Sequence, residues 1–422
     1  MKLLISILLA AIPAHAQLPA SISLDQAFQS ALKKNETVLV EEARAEGSEA
    51  RVSQARSAML PNVVGRASVV RQSEQTAING RVPRSQDQTT AQITAVQPLW
   101  VGGRLKAGLD QTKALNDSQK QNVGAARASL YVTVAQSYYE VLAAEADLKN
   151  LQTSVELTEG RIKELQRRAR IGRSRTGEVL TNQSSLALQK ANVQDAIDRL
   201  ARARQNFAFQ TGMSPISLLQ TPVIPANSAS ALPALENYVA KIPERSDVRS
   251  LEMRAQAASS STDLARAGHM PTLNLIGNGY WTKDARDGET QWDVGLGLTI
   301  PIFEGGAVQG RVREAKSEEI EAQLNLQRQK RAAESEIAQI HASLTNTLRQ
   351  ITSLEEAVTS SEKNYKEQTR DYSYGLVNNL DVLQAQNTLQ ETRRSLDRSR
   401  FLSLVYWAEL KAAVYDIPEV TR

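Results

Sequence analysis

Hydrophobic positions along the chain follow two different periods. Between residues 105 and 170, a stretch without proline, apolar side chains recur every seventh position at Val134, Val141, Leu148, Val155 and Ile162, beside a companion stripe at Leu130, Ala144, Leu151 and Leu165. A seven-residue period sustained in this way keeps one stripe of a helix against its neighbour and predicts a coiled-coil rod. At about 1.5 Å per residue, a rod of about 65 residues is roughly 100 Å long. Ile337, Leu344, Ile351, Val358 and Tyr365 repeat the seam, and shorter returning helices carry it at Val179, Leu186, Val193, Leu200 and Phe207 and again at Val382, Leu389 and Leu396. Segments 24–59 and 246–269 are amphipathic, and are predicted to fill the half of each rod that the returning helix leaves bare.

Four stretches alternate with period two instead. Trp292, Val294, Leu296, Leu298 and Ile300 share one face against Asp293, Gly295, Gly297 and Thr299, while Leu273, Leu275, Gly277 and Trp281 alternate with Asn274, Ile276, Asn278 and Tyr280. Val63, Ala67, Val69 and Ala91, Ile93, Ala95 mark an earlier, fainter pair. An apolar face set against a polar or glycine face over about ten residues is the pattern of a membrane-barrel strand. An ordinary two-layer sheet is the other reading, but no further apolar segment is free to cover that face. Four strands cannot close a barrel, since the smallest have about eight and lipid excludes an open edge, so other copies of the chain must complete it.

The pattern occurs twice. Pro98-Leu99-Trp100-Val101-Gly102-Gly103 returns as Pro301-Ile302-Phe303-Glu304-Gly305-Gly306, and Gly172 with Val179-Leu180 returns as Gly375 with Val382-Leu383, all offset by 203 positions (301 − 98, 375 − 172). A shared offset between separated landmarks marks a tandem duplication of constrained length. The expected organisation is a first repeat at 17–212, a linker at 213–244, a second repeat at 245–416 and a tail at 417–422. In the first, a hairpin at about 61–99 leads to a long helix at about 103–171, a tip at about 172–177 and a helix at about 178–211. In the second the same parts fall at about 271–302, 306–374, 375–379 and 380–415. Pro98 and Pro301 end the second strand of each hairpin, and Gly102-Gly103 and Gly305-Gly306 let the chain turn from strand to helix. Trp100, Tyr280, Trp281, Trp292 and Phe303 lie near strand ends, where aromatic girdles of membrane proteins sit.

Composition narrows the class. Met1-Lys2, an apolar run from Leu3 to Ile12 and Ala14-His15-Ala16 read as a secretory signal over residues 1–16, with the mature chain starting at Gln17. There is no cysteine, hence no disulfide, thiol nucleophile or N-terminal lipid cysteine. Aromatic residues are only 5%, which suits extended helices better than compact globules. The net charge of +4 is spread as alternating signs along the helices, without a nucleic-acid footprint. His269 and His341 lie far apart and lack spaced metal-ligand partners, and the glycine pairs lack the Lys-Ser/Thr of a phosphate loop. No catalytic constellation, cofactor site or metal site is read, so the energy for any transport comes from a partner.

These features resemble the TolC-type outer-membrane efflux proteins of Gram-negative bacteria, over residues 24–415. The most specific local match is Tyr372-Ser373-Tyr374-Gly375-Leu376-Val377 leading into Leu380-Asp381-Val382-Leu383-Gln384-Ala385, which is similar to the family's periplasmic tip. The resemblance implies a mainly helical fold with a small β part. Three chains pool twelve strands into one barrel across the outer membrane and their helices into a tunnel through the periplasm, with residues 213–243 contributing to a belt around its middle. It implies a homotrimer in outer-membrane lipid that works with a periplasmic adaptor and an inner-membrane pump of the RND or ABC type. Asp381 matches an acidic constriction residue, and Glu178 and Tyr372 match the two members of a tip link. Val377 stands where an arginine partner occurs and Gln384 where a second acidic ring occurs. Gly172, Arg173, Ser174, Arg175, Gly375, Leu376 and Val377 would meet the adaptor. Plain helix chemistry is the other reading of Glu178 and Asp381, since carboxylates are favoured near helix starts by about 0.3–1 kcal/mol. Export of drugs or metals and type I protein secretion share this outer component. A soluble periplasmic coiled-coil adaptor or scaffold is the alternative of another class.

Overall fold

The computed structural model describes residues 21–71, 73, 87–222, 232–282 and 291–418. The expected signal and the start at Gln17 lie outside the described residues, as do residues 419–422 of the tail. Along the chain come α1 (Leu24–Lys34), α2 (Glu36–Ser57), β1 (Asn62–Arg71), β2 (Asp87–Trp100), α3 (Arg104–Arg170), α4 (Thr176–Thr211), α5 (Leu235–Val239), α6 (Ser246–Arg266), β3 (Thr272–Thr282), β4 (Trp292–Thr299), α7 (Ala307–Tyr374) and α8 (Asn379–Ala413).

The rods α3 and α7 carry their heptad stripes inward. Val134, Val141, Ile162, Ile337, Leu344 and Ile351 are all buried. Each rod is flanked by two shorter helices in succession. The strand-proximal half of α3 packs against α2 and α6, and its distal half against α4 and α8. The element order across the molecule is therefore α2–α3–α6–α7 in one half and α4–α3–α8–α7 in the other.

At the waist, short helices meet end to end. Ser30 Oγ donates to Thr211 O (2.9 Å) and Lys34 Nζ to Gly212 O (2.7 Å), which ties α1 to the end of α4. The amphipathic segment expected as one helix is broken at Asn35, which closes α1 and caps α2 by accepting from Thr37 N at 3.0 Å. Its amide donates to Gln210 O (3.2 Å), so the break follows from satisfying the end of a third helix. Across α3, a strap formed by Ile22 and residues 218–220 holds Tyr138, whose hydroxyl lies 2.6 Å from Gln220 O and 2.8 Å from Ile22 O. Phe28 packs edge-on against Tyr131 with ring centroids 5.1 Å apart, and this aromatic cluster fills the core beneath the strap.

The strands form one antiparallel sheet in the order β1-β2-β3-β4. Each hairpin feeds a rod through a pair of left-handed glycines: Gly102 (φ 62°) and Gly103 (φ 83°), then Gly305 (φ 61°) and Gly306 (φ 86°). At Gly102 an added Cβ would also stand 2.1 Å from Met270 Cβ. Gly102→Ala combines a left-handed penalty of about 1–2 kcal/mol with overpacking of about 1–3 kcal/mol. The expected outcome is a thermal midpoint lowered by several degrees, read by circular dichroism in detergent, whereas Gly103→Ala, where the space is open, loses only the first contribution.

Candidate functional site

Register sorts the sheet into two chemically different faces. Val63, Ala67 and Val69 pair through Ala95, Ala91 and Thr89, and β3 continues the face with Leu273, Leu275 and Trp281. Leu298, Leu296, Val294 and Trp292 complete it on β4. These side chains have no cover: Val69 is 71% exposed, Trp292 70% and Leu296 67%. A contiguous apolar wall of this kind marks a surface that meets lipid or another protein. From Leu273 to Trp281 it takes eight steps of roughly 3.4 Å, about 27 Å along the strand; at a tilt of about 40° that is roughly 21 Å of height, against an apolar band of about 25 Å in outer-membrane barrels. Trp281 and Trp292 stand at one end of the wall and Trp100 and Phe303 at the other.

The opposite face is mainly polar and internally bonded, with Val64, Val70, Val96 and Ile276 interspersed among its polar residues. Ser68 and Thr90 hydroxyls lie 2.7 Å apart, Thr94 donates to Asn278 Oδ1 (2.9 Å), Asn278 donates to Asp293 Oδ1 (2.9 Å), and Tyr280 donates to Asp293 Oδ2 (2.7 Å). Tyr280 thus belongs to the polar face and differs from the other four aromatics, because its hydroxyl finds its partner there. The sheet ends in two unpaired edges, β1 and β4. Among the described residues no helix is long and apolar enough to cross a membrane.

At the far end of the rods, four helices converge. Gly172 (φ 75°) and Gly375 (φ 79°) stop α3 and α7, and Leu376 N donates back to Asp371 O at 3.0 Å. Tyr372 of α7 is buried, and its hydroxyl donates to Glu178 Oε2 of α4 at 3.1 Å, an oxygen that also accepts from Ser174 at 2.5 Å. Burial raises the pKa of the Tyr372 phenol, and the neighbouring Glu178 charge adds to the effect. Arg161 of α3 lies over the Tyr372 ring with its guanidinium carbon 3.9 Å from the centroid, and Arg168 follows at 4.9 Å. Arg161 is only 7% exposed and donates through Nε to Asn379 Oδ1 of α8 (3.2 Å) and through Nη1 to Glu164 (3.1 Å). Its Nη2 is buried without a hydrogen bond beside the ring. One turn of each helix is therefore drawn into a single cluster, sealed below by Leu165, Val179 and Val382.

Sequence reasoning missed Arg161, Arg168 and Asn379. The signal was present as polar residues in a stripe of helical period, Leu151-Ser154-Thr158-Arg161-Leu165, all buried. Val377 is partly buried and packs against the Tyr372 cluster. Leu376 is 74% exposed, and Gly172, Arg173 and Gly375 are exposed at the turns, with Ser174 half-buried against Glu178. Asp381 and Gln384, one turn apart, are both exposed on α8. Asp381 also closes a capping box, accepting from Asn378 N at 3.0 Å while its own N–H donates to Asn378 Oδ1 at 3.1 Å.

Residues 27–212 and 240–413 match a family model described as "outer membrane efflux protein". Outer membrane protein TolC of Salmonella enteritidis is 22% identical over 99% of this chain and 87% of its own length. TolC of Escherichia coli (strain K12) is 23% identical with the same coverage. Among solved structures, the outer membrane protein VceC of Vibrio cholerae superposes with a TM-score of 0.83 at 20% identity, covering 93% of this chain and 95% of that one.

Proposed function

The chain belongs to the outer membrane efflux protein family, and on that premise we propose that three copies close edge to edge into one duct whose helical tip is the gate. The protein is an outer-membrane exit duct of a tripartite efflux or secretion system, extending from the outer membrane into the periplasm. Members of this family are passive channels, and this chain conducts without catalysis, driven by an inner-membrane pump and coupled through a periplasmic adaptor. One observation carries the ring: the sheet exposes an apolar wall and ends in two unlike open edges, with β1, α2 and α4 on one side and β4 and α7 on the other. Unlike edges join head to tail, and a head-to-tail contact that closes gives a cyclic assembly. Lipid requires that closure, because unpaired strand edges are not tolerated in hydrocarbon. The same exposed wall counts against a soluble adaptor.

The test is detergent extraction followed by mass measurement and planar-bilayer recording. A trimer that forms ion-conducting channels is expected; a monomer that stays in solution without detergent and leaves bilayers silent overturns the reading. The tip turns with Arg173, Ser174 and Leu376 dock the adaptor, as assayed by site-specific crosslinking.

At the gate, three copies of Asp381 would face one axis and favour cations. Asp381→Asn keeps an oxygen for the helix cap but removes the charge, so stability should hold while cation preference falls several-fold. The reversal potential across a salt gradient reads this directly, and an unchanged value removes Asp381 from the constriction.

A further inference from the structure

The two tips of the duplicated chain carry opposite charge. Residues 161–180 hold seven lysines and arginines against Glu164 and Glu178, a net of +5, whereas the same window 203 positions later, 364–383, holds Lys366 and Arg370 against Glu367, Asp371 and Asp381, a net of −1. The first tip alone exceeds the net charge of the whole chain, +4. Arg161 and Arg168 are accounted for within the tip cluster, where both pair with Glu164 at 3.1 Å. Lys163, Arg167, Arg170, Arg173 and Arg175 are exposed, and none of the five is in an ion pair among the described residues. Glu159, which feels the Lys163 charge, is held instead by Lys190 at 2.8 Å.

Helix chemistry explains only part of this. Cations are favoured in the last turn of a helix, which suits Arg167 and Arg170, but they are disfavoured at a helix start, where Arg173 and Arg175 stand ahead of α4. Arg175 is the N-cap of α4 and supplies no side-chain cap, while its counterpart Asn378 caps α8 by accepting from Leu380 N and Asp381 N. Within α3, Lys163–Arg167 and Arg167–Arg170 are like-charge pairs at i,i+4 and i,i+3, which weaken the helix that carries them. Charges that cost the isolated chain stability at each of these points find their compensation outside it. Lys163, Arg167 and Arg170 also fall 28 residues, four heptads, after Ala135, Tyr139 and Leu142 (163 − 135, 167 − 139, 170 − 142), which are buried in the core beneath α1 and the strap. Positions a whole number of heptads apart face the same way in a coiled coil, so these cations continue the strap-bearing face of α3 to the tip, over about 10 Å. The flanks of α3 are taken by α4 and α8 of the same chain. In the ring the strap belongs to the belt around the tunnel, which makes this face the outer wall.

We propose that the outer flank of the first tip docks an acidic helical segment of a partner protein, its carboxylates meeting Lys163, Arg167, Arg170, Arg173 and Arg175. This rests on the tip being the docking end and adds the chemistry of what docks there. The cations run along the rod, so a flat anionic membrane set against its end would meet only Arg173 and Arg175, whereas a helix lying beside α3 reaches all five. Exposed Ile171 offers such a helix an apolar anchor among the charges. The second tip differs, because Tyr374, Leu376 and Leu380 are exposed there and charge is nearly balanced, so only the first tip selects by sign. Opposite charge across this surface steers the encounter and makes it sensitive to salt.

The test uses the detergent-solubilised protein and a fluorescent helical peptide with glutamates spaced i, i+4 and i+7, beside the same peptide with glutamines. Fluorescence anisotropy should show the acidic peptide binding roughly tenfold more tightly, an advantage lost between about 0.1 M and 1 M salt, where the screening length falls from about 10 Å to about 3 Å. Arg170→Ser, Arg173→Leu and Arg175→Asn together install the second tip's own residues, which follow or precede a left-handed glycine of the same kind. This exchange should weaken the acidic peptide roughly tenfold, and Arg170→Ser alone should weaken it in part should the triple variant fail to fold. Arg313→Ser, which removes an exposed cation at the far end of α7, should leave it unchanged. Equal binding of the two peptides, or no loss on the triple exchange, overturns the proposal. So does displacement of the acidic peptide by phosphatidylglycerol vesicles that hold the wild-type protein but not the triple variant, since the occupant is then lipid. Photocrosslinking to a co-expressed adaptor tests the docking end separately. A crosslink from Leu376 with equal binding of the peptides overturns the acidic partner and leaves the docking end, whereas no crosslink from either Leu376 or Gln166 overturns the docking end itself.

Discussion

Arg161→Ala is expected to raise single-channel conductance in planar bilayers several-fold, because it removes a side chain that joins α3, α7 and α8 at the tip. The guanidinium stacks on Tyr372 of α7, bonds Asn379 of α8 and is carried by α3. A desolvated cation–π contact is worth about 2 kcal/mol and a hydrogen bond to a charged group about 1.5–3 kcal/mol. If opening swings α7 and α8 away from α3 and α4, both are lost, and about 4 kcal/mol per copy changes the closed-to-open ratio by roughly a thousandfold. Arg161→Lys retains charge without the planar fork and should fall between the two. Tyr372→Phe separates the contributions: it keeps the ring under Arg161 but removes the bond to Glu178, so its effect should be the smaller. A protein whose conductance is unchanged by Arg161→Ala, with its helical content intact, would show that the tip is held elsewhere.

Much of this architecture was legible because two solvents impose two periods. A rod that packs against neighbours over its whole length must repeat every seven residues, and Ile337, Leu344 and Ile351 do so and are buried. A strand with hydrocarbon on one side and water on the other must alternate, and Val294, Leu296 and Leu298 do so and are bare. Turn glycines such as Gly375 were legible because a left-handed residue ends the helix there. What periodicity cannot show is the partner of a buried polar group. Arg161 and Thr158 interrupt an apolar stripe, and only the arrival of Tyr372, Asn379 and Gln386 from distant sequence makes their burial affordable. The helix break at Asn35 was hidden for the same reason, since it answers to Gln210 of another helix. Nor does alternation order strands from separate hairpins: that β2 lies beside β3 is a tertiary fact.

The largest loss of stability is expected from Arg245→Met at the waist, together with a reversal of acid sensitivity. Arg245 is 6% exposed and caps the end of α8 by donating Nη1 to Ala413 O at 3.0 Å. It also grips both carboxylate oxygens of Asp247 (3.0 and 2.8 Å) and reaches Glu336 at 2.9 Å. Burial alone would push the Asp247 carboxyl up; the guanidinium, with help from Gln329 and Val248 N, overrides that and holds it below its ordinary value of 3.8. Burial pushes the neighbouring Tyr415 phenol up to about 12, so it stays neutral and accepts from Asp247 N. Breaking a buried pair by removing one partner costs about 3–5 kcal/mol, here toward the lower end because half of Glu336 already faces water. A carboxyl whose folded pKa is depressed contributes stability that is present above its unfolded pKa and lost as pH falls through the folded one. The native protein should therefore lose thermal stability below about pH 4. Without Arg245, burial dominates Asp247, its folded pKa rises, and its contribution is lost as pH increases instead. Thermal midpoints of the detergent-solubilised protein between about pH 3 and pH 7 would show the slope contributed by this site change sign, and parallel curves for the two proteins would exclude Asp247 as its source.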